Sequence, residues 1–205
     1  MQTVKTKFFE YGDKEIAYLK KVDKIFGAAI ERAGKIDRVI IPDLFAALIY
    51  AIIGQQISIK AARTVWDRMQ ERFDEICPQN IAKLEVEEIK GCGMTTKKAG
   101  YIKNIAEKTT SGEFIFSELY NMSDDEVIKR LSSLSGIGIW TAEMLLINSM
   151  ERPDVISWGD IAIRRGICKL YGLDGLTKEQ FEQYKIRYSP YGSVASIYLW
   201  RLSYE

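Results

Sequence analysis

The amino-acid sequence predicts an all-α protein, on three observations. Apolar residues recur at the spacing of a helix face through most of the chain, as at Ile16, Leu19, Val22, Ile25, Phe26, Ala29 and Ile30. Serine or threonine stands just ahead of several such runs, at Ser58, Thr95, Ser123 and Thr177, where its oxygen can accept from unpaired first-turn N–H groups. No stretch reads convincingly as a strand, and there is neither a repeat of fixed period nor a low-complexity tract. With 205 residues and 47% hydrophobic content, the chain can build one large domain or two small lobes around a packed core.

In order, Lys14 to Gly34 reads as a single amphipathic helix with Gly34 at its C-cap. Pro42-Asp43 opens a second, Leu44 to Ile53, which is apolar on nearly every face and belongs in the core. Gly54-Gln55-Gln56-Ile57-Ser58 interrupts it. Ser58 then caps Ile59 to Phe73, with Ala62, Val65, Trp66, Met69 and Phe73 on the inner face. Pro78 to Ile89 reads as two short helical turns and Gly91 to Met94 as a loop. Thr95 caps a helix over Lys97 to Lys108. Lys97 and Lys98 run against the dipole preference of a first turn, and suit either a phosphate or ordinary solvation. Ser111 to Asn121 is a connection, and Ser123-Asp124-Asp125-Glu126 starts the next helix.

The stretch from Leu131 to Gly166 organises the remainder. Ile128, Leu131 and Leu134 end one helix, and Ser135-Gly136-Ile137-Gly138 breaks it sharply. A second helix follows through Trp140, Ala142, Met144, Leu145 and Leu146. Its first turn offers unpaired N–H groups and a positive dipole end, which suit a phosphate. After the Arg152-Pro153-Asp154 turn, Asp160 precedes a helix from Ile161 to Tyr171 that carries Arg164, Arg165 and Lys169. Thr177 caps another helix to about Tyr188, and Pro190-Tyr191-Gly192 leads into a last one with Ala195, Ile197, Tyr198, Leu199 and Trp200. Taken singly, the glycine pair fits an ordinary tight connection and Asp160 fits a plain N-cap.

Taken together, the run Leu134-Ser135-Gly136-Ile137-Gly138-Ile139-Trp140-Thr141-Ala142, the Pro153-Asp154 turn and Gly159-Asp160 resemble the signature of the helix–hairpin–helix DNA glycosylase superfamily. Most of the chain is similar to its 3-methyladenine DNA glycosylase II branch, in a compact form. The resemblance implies two helical lobes with an active-site cleft between them. A six-helix lobe over residues 38–149 would contain the helix–hairpin–helix, and residues 1–37 with 150–205 would form a second lobe carrying the catalytic aspartate. The β-rich N-terminal domain of longer members has no counterpart.

The resemblance also implies roles. Asp160 is the catalytic carboxylate, and Trp140, Tyr191 and Met144 line the base pocket. Gln55, Gln56, Gly136, Ile137, Gly138, Thr141 and Arg164 face DNA, with Gln56 entering the gap left by a flipped base; the alternative is that both amides cap helix ends at the surface. Carbonyls of Ser132, Leu134 and Ile137 would hold a monovalent cation, K+ or Na+, with no other cofactor required. Bifunctional members carry a lysine at the position of Trp140, and it forms a Schiff base with the sugar. Tryptophan cannot, so the implied activity is monofunctional excision of alkylated purines from damaged double-stranded DNA. Two other readings stand beside it: a glycosylase for oxidised guanine, which usually accompanies that lysine, and a non-catalytic helix–hairpin–helix grip.

Composition excludes much else. There is no histidine, which removes Ser-His-Asp and Cys-His chemistry and the usual zinc hydrolase sites. Three cysteines, widely spaced, suggest neither a disulfide frame nor a zinc site and cannot ligate a [4Fe–4S] cluster, so no iron–sulfur cluster is expected. The net charge is +1, with 29 basic and 28 acidic residues, so a nucleic-acid partner requires the basic residues to gather on one face. No apolar run is long enough to span a bilayer, and MQTVKTKFFEYG lacks a signal-peptide core. The expectation is a monomer without membrane association, in the bacterial cytoplasm and nucleoid, or in a nucleus if eukaryotic.

Overall fold

The computed structural model of the chain describes residues 4–73 and 75–205. These are predominantly helical: α1 Asp13–Val22, α2 Lys24–Ala33, α3 Leu44–Gly54, α4 Ile59–Arg72, α5 Pro78–Ile81, α6 Val86–Lys90, α7 Thr96–Thr110, α8 Asp124–Ser132, α9 Ile139–Asn148, α10 Ile161–Tyr171, α11 Lys178–Tyr188 and α12 Gly192–Tyr204. The segment after α7 ends in a 3₁₀ turn, Phe116–Asn121. No helix among the described residues is long and apolar enough to cross a membrane.

Two expectations need correction. The helix foreseen from Lys14 to Gly34 is two helices, broken at Asp23. Asp23 takes an extended conformation (φ −146°, ψ 108°), and its Oδ1 accepts from Phe26 N–H at 2.9 Å, so one residue ends α1 and caps α2. A two-stranded pair, β1 Lys7–Phe8 with β2 Val39–Ile40, was also not foreseen. Two residues are too few to show the alternation by which a strand is recognised.

The described chain forms two compact units: residues 4–7 with Ile40–Met150, and Phe8–Val39 with Glu151–Glu205. In the first, α3 is the core helix, with Leu48, Ile49, Ile52 and Ile53 fully buried. It packs on α4, α7 and α9, and this explains an apolar sequence with no polar face to give to water. Asp43 Oδ1 caps it through Ala46 N–H at 2.7 Å, and Ser58 Oγ caps α4 through Ala61 N–H at 3.2 Å. Phe73, expected on the inner face of α4, lies half-buried just beyond its end.

In the second unit α10 packs along α12 and against α2. The close approach of α10 and α12 needs Gly166, since a Cβ there would run into the backbone carbonyl of Leu199. α11 joins α1 and α12, and its Tyr188 is fully buried.

Candidate functional site

The hairpin of the first unit is built from local signals. Ser123 and Glu126 form a capping box that starts α8. At its other end Ile137 N–H donates to the Leu134 carbonyl at 3.1 Å, closing the turn. Gly136 lies at φ +86°, and a Cβ there would strike the ring of Tyr101, so both backbone and packing require glycine. Gly138 is the extended N-cap of α9 and makes no side-chain cap to that helix. Such an end binds anions through its N–H groups.

Around this turn Ile139 and Trp140 are exposed, the latter to 46%. Met144 is half-buried, and Ile137 is buried. Thr141 is only 5% exposed. Among the three carbonyls assigned to a cation, that of Leu134 already accepts the Ile137 N–H but keeps a second lone pair. Ser132 adds a buried hydroxyl without a partner. Oxygen donors of this kind fit a hard monovalent ion. No cluster of His, Cys, Asp and Glu suited to a metal occurs among the described residues.

Gln55 and Gln56 differ. Gln55 Nε2 donates to the Gly136 carbonyl at 2.9 Å, so its amide braces the hairpin. Gln56 is exposed and sits at φ +58°, a conformation that non-glycine residues seldom adopt. Lys98, which the sequence leaves open to a phosphate or to solvent, is half-buried and turns its ammonium to backbone carbonyls. Nζ donates to the Ile53 carbonyl at 2.8 Å and to the Gln55 carbonyl at 2.6 Å, capping the end of α3. Burial there holds the Lys98 ammonium below the usual lysine range.

In the second unit Asp160 is 6% exposed and caps α10. Its Oδ1 accepts from Ala162 N–H at 2.8 Å and Ile163 N–H at 3.0 Å. Its Oδ2 accepts from the indole Nε1 of Trp200 at 3.2 Å. Both oxygens are thus oriented, and the helix dipole favours the anion. The Arg38 guanidinium stacks over the Trp200 ring at 4.6 Å. Arg164 lies with its guanidinium 4.7 Å from the ring of Trp158, and its Nε is buried without a hydrogen bond.

Tyr191 is half-buried at the N-cap of α12, following the cis Ser189–Pro190 bond. It meets Tyr18 edge-on at 5.2 Å, and the Lys14 ammonium lies 6.0 Å from its centroid. Asp154 holds this loop: its Oδ1 accepts from Gly192 N–H at 3.0 Å and its Oδ2 from Ser189 Oγ at 2.5 Å. The Pro153-Asp154 turn is therefore a latch on the segment that carries Tyr191. The sequence does not reveal Trp200, Tyr101, Lys14, this use of Asp154 or the carbonyl partners of Lys98, because each acts on a partner far along the chain.

The chain matches the HhH-GPD superfamily of base excision DNA repair proteins over residues 49–187. It is 34% identical over 164 residues to DNA-3-methyladenine glycosylase 1 of Schizosaccharomyces pombe, covering 78% of this chain and 72% of that protein. It is 31% identical over 177 residues to a DNA-3-methyladenine glycosylase of Bacillus subtilis, covering 80% of this chain but 58% of the Bacillus protein. A solved structure of the S. pombe 3-methyladenine DNA glycosylase in complex with abasic DNA superposes with a TM-score of 0.81 at 30% identity, over 92% of this chain and 96% of that one.

Proposed function

The chain belongs to the HhH-GPD superfamily of base excision DNA repair proteins, and we propose that it is a monofunctional DNA glycosylase that hydrolyses the N-glycosidic bond of alkylated purines, of the 3-methyladenine and 7-methylguanine type. The observation that carries this reading is the Asp160 carboxylate, buried at a helix N-terminus with both oxygens oriented. A bare DNA grip would need no such group.

Breaking the bond develops positive charge on the sugar. A preorganised carboxylate offsets that charge and can position the attacking water. The target base must first leave the stack. The exposed Gln56 suits the vacated gap, and the first turn of α9 suits the phosphates that fix the register. Alkylation at N3 or N7 makes the base cationic, so it departs without protonation, and no histidine is present to provide any. Tyr191 and Trp140 offer aromatic faces to such a cation.

Trp140 also speaks against lyase chemistry, since an indole forms no Schiff base. The Ser132, Leu134 and Ile137 carbonyls remain the proposed ligands of a monovalent cation. The partner is double-stranded DNA with damaged bases, met by a monomer wherever the genome resides, in the bacterial cytoplasm or a nucleus.

The test is base release from duplexes carrying 7-methylguanine, 3-methyladenine, hypoxanthine or 8-oxoguanine. Methylated purines should be released, with strand breaks only after alkali and no adduct trapped by borohydride. Efficient release of 8-oxoguanine with methylated purines left in place overturns the substrate assignment. A trapped adduct overturns the monofunctional one.

A further inference from the structure

One end of α7 joins two segments that the proposed reaction uses on DNA. Lys98, in the first turn of this helix, sends its ammonium to two carbonyls at the end of α3, that of Ile53 and that of the C-cap Gln55, at 2.8 and 2.6 Å. The charge is unfavourable at the N-terminus of its own helix but favourable at the C-terminus of α3, where carbonyls lack helical partners. Gln55 passes the constraint on, since its side-chain amide donates to the Gly136 carbonyl at 2.9 Å. One turn along α7, the Tyr101 ring occupies the space beside Gly136 that a Cβ would need. Directly after Gln55 comes Gln56, exposed and held at φ +58°. A glutamine stays in that region only where its surroundings over-determine it.

We propose that Lys98 is a positioning residue: it fixes the bend that presents Gln56 and, through Gln55, registers that bend against the hairpin turn at Gly136. The side chain that fills the base gap and the N–H groups that take the phosphates then meet the duplex at one set spacing. This rests on the reading of Gln56 and the hairpin as DNA-facing. Partial burial beside these carbonyls also depresses the Lys98 ammonium.

The test compares wild type, Lys98→Met, Lys98→Arg, Gln55→Met and the double variant Lys98→Met/Gln55→Met. Affinity is measured for a duplex with a tetrahydrofuran abasic analogue and for the same duplex undamaged, with 2-aminopurine beside the analogue reporting whether the gap is filled. Lys98→Met should lose roughly tenfold on the analogue, less than about twofold on undamaged DNA, and the 2-aminopurine response. Arginine, which keeps the charge, should recover much of the loss. The double variant should be no worse than the worse single, as expected of residues acting in series.

Unchanged analogue affinity in Lys98→Met, losses that multiply in the double variant, or an equal loss on both duplexes without rescue by arginine would each overturn the proposal. If Lys98→Met does not fold, the folded Gln55→Met decides: retained preference for the analogue overturns it. A wild-type protein that neither prefers the analogue nor releases any base overturns the proposed function, and this inference with it.

Discussion

The indole N–H of Trp200 donates to Oδ2 of Asp160 at 3.2 Å, across forty residues of sequence. The two meet because α10 and α12 pack closely where Gly166 faces the carbonyl of Leu199, the residue just before Trp200. Backbone N–H groups hold the other carboxylate oxygen, and the indole N–H helps set the direction of Oδ2. Trp200→Phe keeps a ring and removes the donor. Single-turnover base release should slow about tenfold, equivalent to about 1.4 kcal/mol, while lesion-duplex affinity stays within about twofold. An unchanged rate would show that the indole only packs.

Asp160→Asn keeps an acceptor for the Ala162 and Ile163 N–H groups, so α10 should remain capped and the melting temperature should move little. The amide has no charge to set against the developing sugar cation. Base release should fall by roughly three or more orders of magnitude, with binding of lesion DNA held within about tenfold. Turnover near the wild-type rate would remove Asp160 from the chemistry.

Gly166→Ala tests the packing that brings those two residues together. The added methyl meets backbone, which cannot rotate away, and only a shift of α10 from α12 relieves it. Thermal unfolding should show a loss of roughly 2 kcal/mol or more, about 5 °C for a chain of this size. Activity of the folded fraction should also drop, because the Trp200 donor moves with α12. A variant as stable and active as wild type would contradict this packing.

Asp23 makes stability depend on acid. Burial pushes its carboxyl up, but hydrogen bonds from Phe26 N–H, the Tyr171 hydroxyl and the Arg187 guanidinium outweigh this and hold it below the ordinary aspartate value. A group depressed on folding stabilises above its unfolded value, near pH 3.9, and that contribution disappears as the pH falls through the folded value. Asp23→Asn should cost roughly 1–2 kcal/mol at neutral pH, discounted because the Arg187 side chain is 42% exposed. Below about pH 4 its melting temperature should decline less steeply than that of wild type. Parallel curves would mean that Asp23 carries none of the acid sensitivity.

The sequence by itself determined most helices and their starts. The reason is local: Ser58, Thr95, Ser123 and Thr177 cap N–H groups three residues on, a distance the chain carries within itself. The hairpin was legible on the same ground, because a sharp turn beside a close neighbour calls for Gly136 wherever that neighbour comes from. Asp160 could be located as a cap and, by resemblance, as a catalytic candidate.

What only the tertiary structure decided concerns partners brought from far away. Asp23 lies within an unbroken helical pattern, and its break stands with Tyr171 and Arg187, more than a hundred residues distant, supplying the bonds to its second oxygen. Lys98 could serve water, phosphate or protein until the end of α3 was seen to meet its ammonium. The orientation of Asp160 Oδ2 awaited Trp200. Periodicity records which face of a helix is buried, and caps record where it begins. Neither records which donor will stand opposite a given oxygen, because that depends on how separate helices pack.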